Sequence, residues 1–189
     1  ITTVLLLDDG RLLAGGPLRQ YFRARRLGGL VAVAANGATD PAVPATLVTG
    51  AVSSVVPLPA GKLLVGGTFS RVDGVKRTAL VRLNPNGSLD PTFIDPGAND
   101  AISSLAVQGD GRIVVAGIFT RIGGTTQEVL ARLSPDGVLD PTFQARAVAL
   151  RSTGTAPVVV ALAEGRVLLV SPNLSSFLPN QRLLARFHA

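Results

Sequence analysis

The hydrophobic positions of this chain fall in short runs, separated by turns rich in glycine, proline, asparagine and aspartate. "AVSSVVPLPAG" at 51–61 and "AISSLAVQGDG" at 101–111 each indicate a strand that runs into a turn. "KLLVGGTFSRV" and "RIVVAGIFTRI" follow as second strands, and their near-continuous apolar character is typical of strands buried on both faces. No stretch carries a sustained helical period, so the pattern predicts an all-β chain.

The turn glycines recur at a nearly constant interval. The aligned glycines are separated by 51, 50 and 54 residues: Gly10, Gly61, Gly111, Gly165. Asp-Pro pairs keep the same period and begin at Asp40, Asp90, Asp140. Two independent markers with one period indicate internal repeats of about 50 residues. We place repeats one to four at approximately 1–50, 51–100, 101–155 and 156–189, within a single repeat domain spanning 1–189.

Each repeat is predicted to contain three or four antiparallel strands. A two-residue turn with glycine is expected to join the first two strands as a hairpin. The Gly66-Gly67 pair, matched by Gly15-Gly16, suggests a close backbone approach or a bulge. A loop follows, and then "TALVRLN" and "EVLARLS" predict the third strand. A fifty-residue unit of this kind has the size of one blade of a β-propeller.

The segment after the third strand reads "LNPNGSLDPTF" at 83–93 and "LSPDGVLDPTF" at 133–143. One interpretation is a calcium loop, for which Asn84, Asn86 and Asp90 are the candidate ligands. Calcium needs five or more converging oxygens, and Ser134 replaces Asn84 in the next repeat. We favour a structural corner: glycine forms the turn, aspartate satisfies free amides, proline holds the extended exit and phenylalanine fills the gap between blades.

Three arginines share one position of the third strand: Arg82, Arg132, Arg186. Alternation places each of them on the face opposite its apolar neighbours. We predict a structural role for them, as ion pairs between blades with Asp90 or Asp140 as the partner.

Composition narrows the function classes. The chain has 189 residues, of which 47% are hydrophobic and only 4% aromatic, so its core must be aliphatic. It has no cysteine, which excludes disulfides, cysteine-zinc sites and a cysteine nucleophile. The longest apolar runs, such as "APVVVALA" at 156–163, are too short to span a bilayer. The chain begins with Ile1, so we expect it to be processed or to be a piece of something larger.

The net charge is +6, and nearly all the positive charge is arginine. A basic balance favours polyanionic partners. In repeat one the loop after the second strand reads "LRQYFRARRLGG", with basic and aromatic side chains interleaved. Equivalent propeller loops lie on one rim, where charge could bind a polyanion and stacking could bind a sugar or base. The alternative is a solvated rim. The candidate binding residues are Arg19, Tyr21, Arg23, Arg25, Arg26, Arg71, Arg77, Arg121.

No catalytic constellation is evident in the sequence. The single histidine, His188, is the penultimate residue, and the two glutamates, Glu128 and Glu164, occupy different repeat positions. No metal spacing, nucleophile elbow or phosphate loop is present. We therefore expect no catalytic residues, no metal site and no cofactor.

The amino-acid sequence of the repeats resembles the delta-60 repeat, a β-propeller family of bacterial, largely cell-surface or secreted proteins without an assigned function. The resemblance is strongest over 51–95 and 101–143. Repeat one departs from it at Ala32-Val33 and Val43, and repeat four ends without an Asp-Pro pair. The resemblance implies a propeller fold and an extracellular or cell-surface location. Terminal repeats that depart from the common repeat sequence are typical of capping units or of a fragment of a longer propeller.

These observations favour a non-enzymatic structural or binding β-propeller module that acts in adhesion or assembly. Its partners would be an acidic glycan or another polyanion at the basic rim, and we do not expect nucleic acid or a membrane span. One alternative is a carbohydrate-active enzyme with carboxylates at a central channel. Another is a self-assembling subunit whose open terminal blades pair with other copies, or with another segment of a larger protein.

Overall fold

In the computed structural model the described residues are 1–7, 10–16, 27–34, 36–40, 46–143, 156–162, 165–170 and 184–187. They belong to two compact units, Ile1–Asp95 and Pro96–Ala189. Every regular element among them is a β-strand, apart from one 3₁₀ turn at Pro59–Gly61. The prediction of an all-β chain is confirmed, whereas the single domain over 1–189 stays a prediction.

The first unit contains the sheets of repeats one and two. Its strands are β1 (Thr3–Leu6), β2 (Leu12–Gly16), β3 (Leu27–Val33), β4 (Thr46–Thr49), β5 (Val52–Pro57), β6 (Leu63–Gly67), β7 (Arg71–Val72), β8 (Val75–Lys76) and β9 (Leu80–Leu83). One sheet has the order β1-β2-β3-β4-β7-β8, and the other is β5-β6-β9. All pairings within them are antiparallel. The sequence predicted a second strand that runs to Val72 with a loop after it. The strand instead ends at Gly67, and the short hairpin β7–β8 follows it.

The second unit contains the sheets of repeats three and four. Its strands are β10 (Ile102–Val107), β11 (Ile113–Gly117), β12 (Arg121–Ile122), β13 (Thr125–Thr126), β14 (Leu130–Leu133), β15 (Val158–Ala161), β16 (Val167–Val170) and β17 (Leu184–Phe187). The two main sheets are β10-β11-β14 and β15-β16-β17, and β12–β13 forms a separate hairpin. Repeats two and three therefore share the same strand pattern, as their matching sequences predict.

The turn between the first two strands differs from the two-residue turn predicted. In repeat three the Gln108 N–H donates to the carbonyl of Arg112 (2.9 Å), and the Gly111 N–H donates to the carbonyl of Gln108 (2.9 Å). Three residues therefore separate the closing pair, with Gly111 at φ 84° in the left-handed position. This is the three-residue loop of a turn followed by a bulge, which needs glycine at its last position. The prediction of the hairpin was right, but its loop length was wrong.

The prediction of a close backbone approach at the glycine pairs is confirmed. A Cβ added at Gly67 would lie 2.0 Å from the carbonyl oxygen of Ala51, and one added at Gly117 would lie 2.1 Å from that of Ala101. The register of β5 on β6 also shifts between Val52 and Ser54, as at a β-bulge. Glycine is therefore needed at these positions for space.

The cores are aliphatic, and the second strands lie at their centres. All five residues of β6 and all five of β11 are buried, which confirms the prediction of strands covered on both faces. In the first unit one cluster joins the sheets of repeats one and two, and in the second unit another joins repeats three and four. Each unit is thus a pair of sheets packed face to face.

Candidate functional site

The predicted basic rim is described only in repeats two and three. Arg71 and Arg121 are exposed and begin the short hairpins β7–β8 and β12–β13. Each hairpin turns through two residues with positive φ, Asp73-Gly74 and Gly123-Gly124, as type I′ turns require. The two arginines therefore hold equivalent places in consecutive repeats. The other predicted residues lie outside the described part of the chain: Arg19, Tyr21, Arg23, Arg25, Arg26.

The rim arginines are braced by their own hairpins. Nη1 of Arg71 donates to the carbonyl of Gly74 at 2.8 Å, and Nη2 of Arg121 donates to the carbonyl of Gly124 at 3.3 Å. Arg77 is half-buried, and its Nη1 donates to the carbonyl of Lys76 at 3.0 Å. None of the three forms an ion pair with a carboxylate in the described residues. Their guanidinium charge is therefore not neutralised locally.

A second cluster, which we call the aspartate corner, follows the third strand of repeats two and three. Its members are Arg82, Asp90, Thr92, Phe93 in repeat two and Arg132, Asp140, Thr142, Phe143 in repeat three. The turn at its start is again a three-residue loop, in which the Gly87 N–H donates to the carbonyl of Asn84. This loop folds the chain back, so that the Asp90 N–H donates to the carbonyl of Arg82 at 2.9 Å.

In repeat two the corner is a network around one buried carboxylate. Oδ2 of Asp90 accepts from Nε of Arg82 at 2.7 Å and from Nζ of Lys62 at 2.7 Å. Oδ1 accepts from the backbone N–H and the hydroxyl of Thr92, at 3.0 and 2.7 Å. The ring of Phe93 lies 5.1 Å below the guanidinium of Arg82. The prediction that this aspartate satisfies free amides is confirmed.

Repeat three has the same corner with fewer cations. Nε of Arg132 donates to Oδ2 of Asp140 at 2.9 Å, and Thr142 donates to Oδ1 through its backbone N–H and its hydroxyl. Phe143 lies 4.7 Å from the guanidinium and packs in the cluster shared with repeat four. The residue equivalent to Lys62 is Arg112, which pairs instead with Asp110 at 3.5 Å.

Asp90 and Asp140 are confirmed as the partners of the third-strand arginines, but the prediction that the ion pairs join different blades was wrong. Arg82 and Arg132 pair with the aspartate eight residues later in their own repeat, because the intervening turn returns the chain beside the third strand. Of Arg186, only the backbone is described. In repeat one, where Ala32 replaces this arginine, Nη1 of Arg11 donates to Asp40 at 3.0 Å.

Both corner carboxylates are held ionised. Hydrogen bonds from Lys62 and Thr92 lower the pKa of Asp90 far below its usual range, against the opposing effect of burial. The hydroxyl of Thr142 is the main cause that lowers the pKa of Asp140, and Arg132 adds to it. A carboxyl group with a lowered pKa has no proton to donate at neutral pH, so the corners serve folding better than acid catalysis.

A groove in the first unit was not predicted from the sequence. It has a volume of about 390 Å³ and lies between Leu7, Arg11 and Leu13 of repeat one and the hairpin loop Pro57–Leu63 of repeat two, with Pro85 beside them. Its walls are mostly aliphatic side chains and prolines, and its two cations, Arg11 and Lys62, already pair with Asp40 and Asp90. The only sequence signal for it is the proline-rich loop "PLPAG".

Within the described ranges, no three histidine, cysteine, aspartate or glutamate side chains come together as metal ligands. The same ranges contain no helix long and apolar enough to cross a bilayer.

Comparison with known proteins supports the repeat architecture. The model of a family described as a domain of unknown function (DUF5122) β-propeller matches residues 58–93 and 108–143. Both matches begin near the first hairpin loop and end at the phenylalanine of the aspartate corner. No curated protein matches the chain. The fold is therefore all-β and of the propeller type, built from antiparallel blade-like repeats.

Proposed function

We propose that the chain is a non-enzymatic binding module of a secreted or cell-surface bacterial protein, which acts in adhesion or assembly by holding an acidic glycan or a similar polyanion. The observation that carries this proposal is the equivalent placement of Arg71 and Arg121. Both are exposed, both are braced on a type I′ hairpin, and neither has an ion-pair partner among the described residues. Repetition of one charged position suits a polymer that carries repeated negative charge.

The burial and ion pairing of other described arginines support the same proposal. Arg82 and Arg132 are buried and ion-paired, and Arg112 pairs with its neighbour Asp110. Among the described residues of repeats two and three, the arginine charge without an ion-pair partner therefore lies at the hairpins and at Arg77. The sequence predicts a further basic segment in repeat one, with Arg19, Tyr21, Arg23, Arg25 and Arg26, which lies outside the described residues.

Two further considerations support the non-enzymatic and extracellular parts of the proposal. The buried carboxylates Asp90 and Asp140 are committed to the corners, which leaves them unsuited to proton transfer. The resemblance to delta-60 repeats implies a secreted or cell-surface location, and the similarity to a propeller family agrees with it in fold.

The proposal is tested by binding to dextran sulfate, with neutral dextran as the reference, in a titration calorimeter. We expect binding to the sulfated polymer only, with an affinity that falls as salt is raised, because exposed charges are screened. Arg71→Gln and Arg121→Gln should each weaken binding by roughly threefold, the typical worth of one exposed charge contact.

Arg112→Gln is the matched control, since it removes one exposed arginine that is already paired. It should leave the affinity unchanged. Equal affinity for both dextrans, or an equal loss in Arg112→Gln and Arg121→Gln, would contradict a site at the hairpins. Duplex DNA as a competitor separates a glycan site from general attraction to polyanions.

A further inference from the structure

The main sheets have two faces, and within each unit the packing of one repeat on the next uses them in the same order. We call the face toward the following repeat the trailing face, and the face toward the preceding repeat the leading face. In the first unit the trailing face of repeat one contacts the leading face of repeat two. Their residues meet in one cluster, which includes Leu13, Leu30, Ala32 from repeat one and Val55, Val65, Val81 from repeat two.

The second unit uses the same order. The trailing face of repeat three meets the leading face of repeat four in a cluster that includes Ala106, Val114, Ala116 and Val159, Val167, Leu169. Hydrogen bonds cross this contact as well: the Val159 N–H donates to Oγ of Ser104 at 3.1 Å, and Nε2 of Gln108 donates to the carbonyl of Gly165 at 2.6 Å. Each internal contact is thus a trailing face on a leading face.

No sheet of the described residues packs in this way on the leading face of repeat one. Its members on β1 and β2 are Val4, Leu6, Leu12 and Ala14, which face one another in the register of the hairpin. Val4 is 59% exposed, Leu6 66% and Leu12 39%. The positions equivalent to Val4 and Leu12 in repeat two are Val55 and Leu63, and there both are buried against repeat one.

Repeat four presents its trailing face in the same way. Val158, Val160, Leu168 and Val170 are paired across β15 and β16. Val158 is 50% exposed and Val160 42%, whereas the equivalent Ser104 and Ala106 of repeat three are buried. Alternation along β15 places Val159, between them, in the buried cluster. Among the described residues, repeat one therefore exposes an apolar leading face and repeat four an apolar trailing face.

We propose that a second copy of this chain covers these faces, with the trailing face of repeat four in one copy docked on the leading face of repeat one in the next. The argument is continuity with the internal contacts: the two exposed faces use the positions that pack together inside each unit. Exposed apolar faces of this kind are typical of interaction sites. Because the two faces differ, the contact is heterologous, and it joins copies head to tail.

The first test is the mass of the wild-type chain in sedimentation velocity over a range of concentration. We expect the mass to rise above that of the monomer as concentration increases. A monomer at every concentration would overturn the proposal, and this includes the case in which the chain covers its own faces.

Two single variants then identify the faces. Leu6→Arg places a charge on the leading face, and Val160→Arg places one on the trailing face. Each variant alone should be monomeric, with association weakened more than ~100-fold, because the contact would bury an unpaired guanidinium. Circular dichroism checks the fold, and Val4→Arg with Val158→Arg is the second pair if either variant fails to fold. Ile94→Arg, an exposed position in a loop, is the control and should associate like the wild type.

Mixing the variants gives the decisive result. Leu6→Arg keeps an intact trailing face, and Val160→Arg keeps an intact leading face. Their equimolar mixture should form a dimer of one copy of each and nothing larger, because the remaining faces are blocked. A contact between like faces predicts instead that one variant alone still dimerises, and that result, or a mixture that stays monomeric, would overturn the head-to-tail arrangement.

Discussion

Repeats two and three hold the same aspartate with different sets of cations. In repeat two, Asp90 accepts from both Arg82 and Lys62, whereas in repeat three Asp140 pairs with Arg132 alone among the described cations. The position of Lys62 is filled by Arg112 in repeat three, but its guanidinium is taken by Asp110, where repeat two has Ala60. Repeats that differ within this hairpin loop thus also differ in which cations reach the carboxylate beyond the third strand.

Repeat one shows the opposite case, in which the hairpin loop and not the third strand supplies the cation. It lacks the strand arginine, yet Arg11 at the position of Lys62 reaches Asp40. The corner therefore needs a cation on its aspartate, and the cation can come from the third strand or from the hairpin loop. This explains how repeat one, in which Ala32 replaces the strand arginine, can retain an ion pair at its corner.

The largest expected effect comes from removing the single cation of repeat three. Arg132→Met leaves Asp140 with no described cation, and we expect a loss of about 3 kcal/mol in the free energy of unfolding, as is typical of breaking a buried pair. Arg82→Met should cost roughly half as much, since Lys62 remains on Asp90. Urea unfolding measures the total loss, and hydrogen exchange assigns it to β9 or β14. Equal losses in the two variants would show that Lys62 does not support its corner.

An intermediate effect is expected as the pH is lowered. An unfolded aspartate titrates near pH 3.9. An aspartate whose pKa is lowered in the folded state stabilises the protein above that pH, and this stabilisation is lost as the pH falls through the folded pKa. The pKa of Asp90 is lowered more strongly than that of Asp140, so repeat three should lose its ion pair first on acidification. Carbon-13 shifts of the two carboxyl groups measure this directly. A common titration point for both groups would be inconsistent with the additional cation at Asp90.

The smallest effect is expected for Lys62→Met. The side chain of Lys62 is 33% exposed, and Arg82 remains on the carboxylate, so the free energy of unfolding should fall by less than about 1 kcal/mol. The carbon-13 titration of Asp90 should nevertheless move upward, toward that of Asp140. Arg112→Met provides the matched change in repeat three, and it should leave the titration of Asp140 in place.

Much of the fold could be predicted because its determinants are local. The glycines set the turns, and the apolar runs set the second strands. The close approach at Gly67 follows from the need for a residue without a side chain. The hydrogen bond from Lys62 to Asp90 could not be predicted from local sequence. The two residues are 28 positions apart, and they meet only after the strands of the repeat have paired. The groove beside Pro57 depends likewise on two hairpins from different repeats.

The loop lengths and short hairpins were hard to predict for a different reason. A glycine with positive φ suits both a two-residue turn and a three-residue loop, so composition does not separate them. The hairpins β7–β8 and β12–β13 have strands of only two residues, too short to show alternation. They nevertheless carry Arg71 and Arg121, on which the proposed polyanion binding depends.

The aspartate corner also bears on how such a gene can change. Arg82 and Asp90 are only eight residues apart, as are Arg132 and Asp140, so one unit of sequence encodes both members of its ion pair. Unequal recombination that copies or deletes a whole unit in frame would never separate a cation from its carboxylate. The number of repeats could therefore differ between lineages without leaving a buried charge unpaired. Point mutations could still change the ion pairs of each repeat independently.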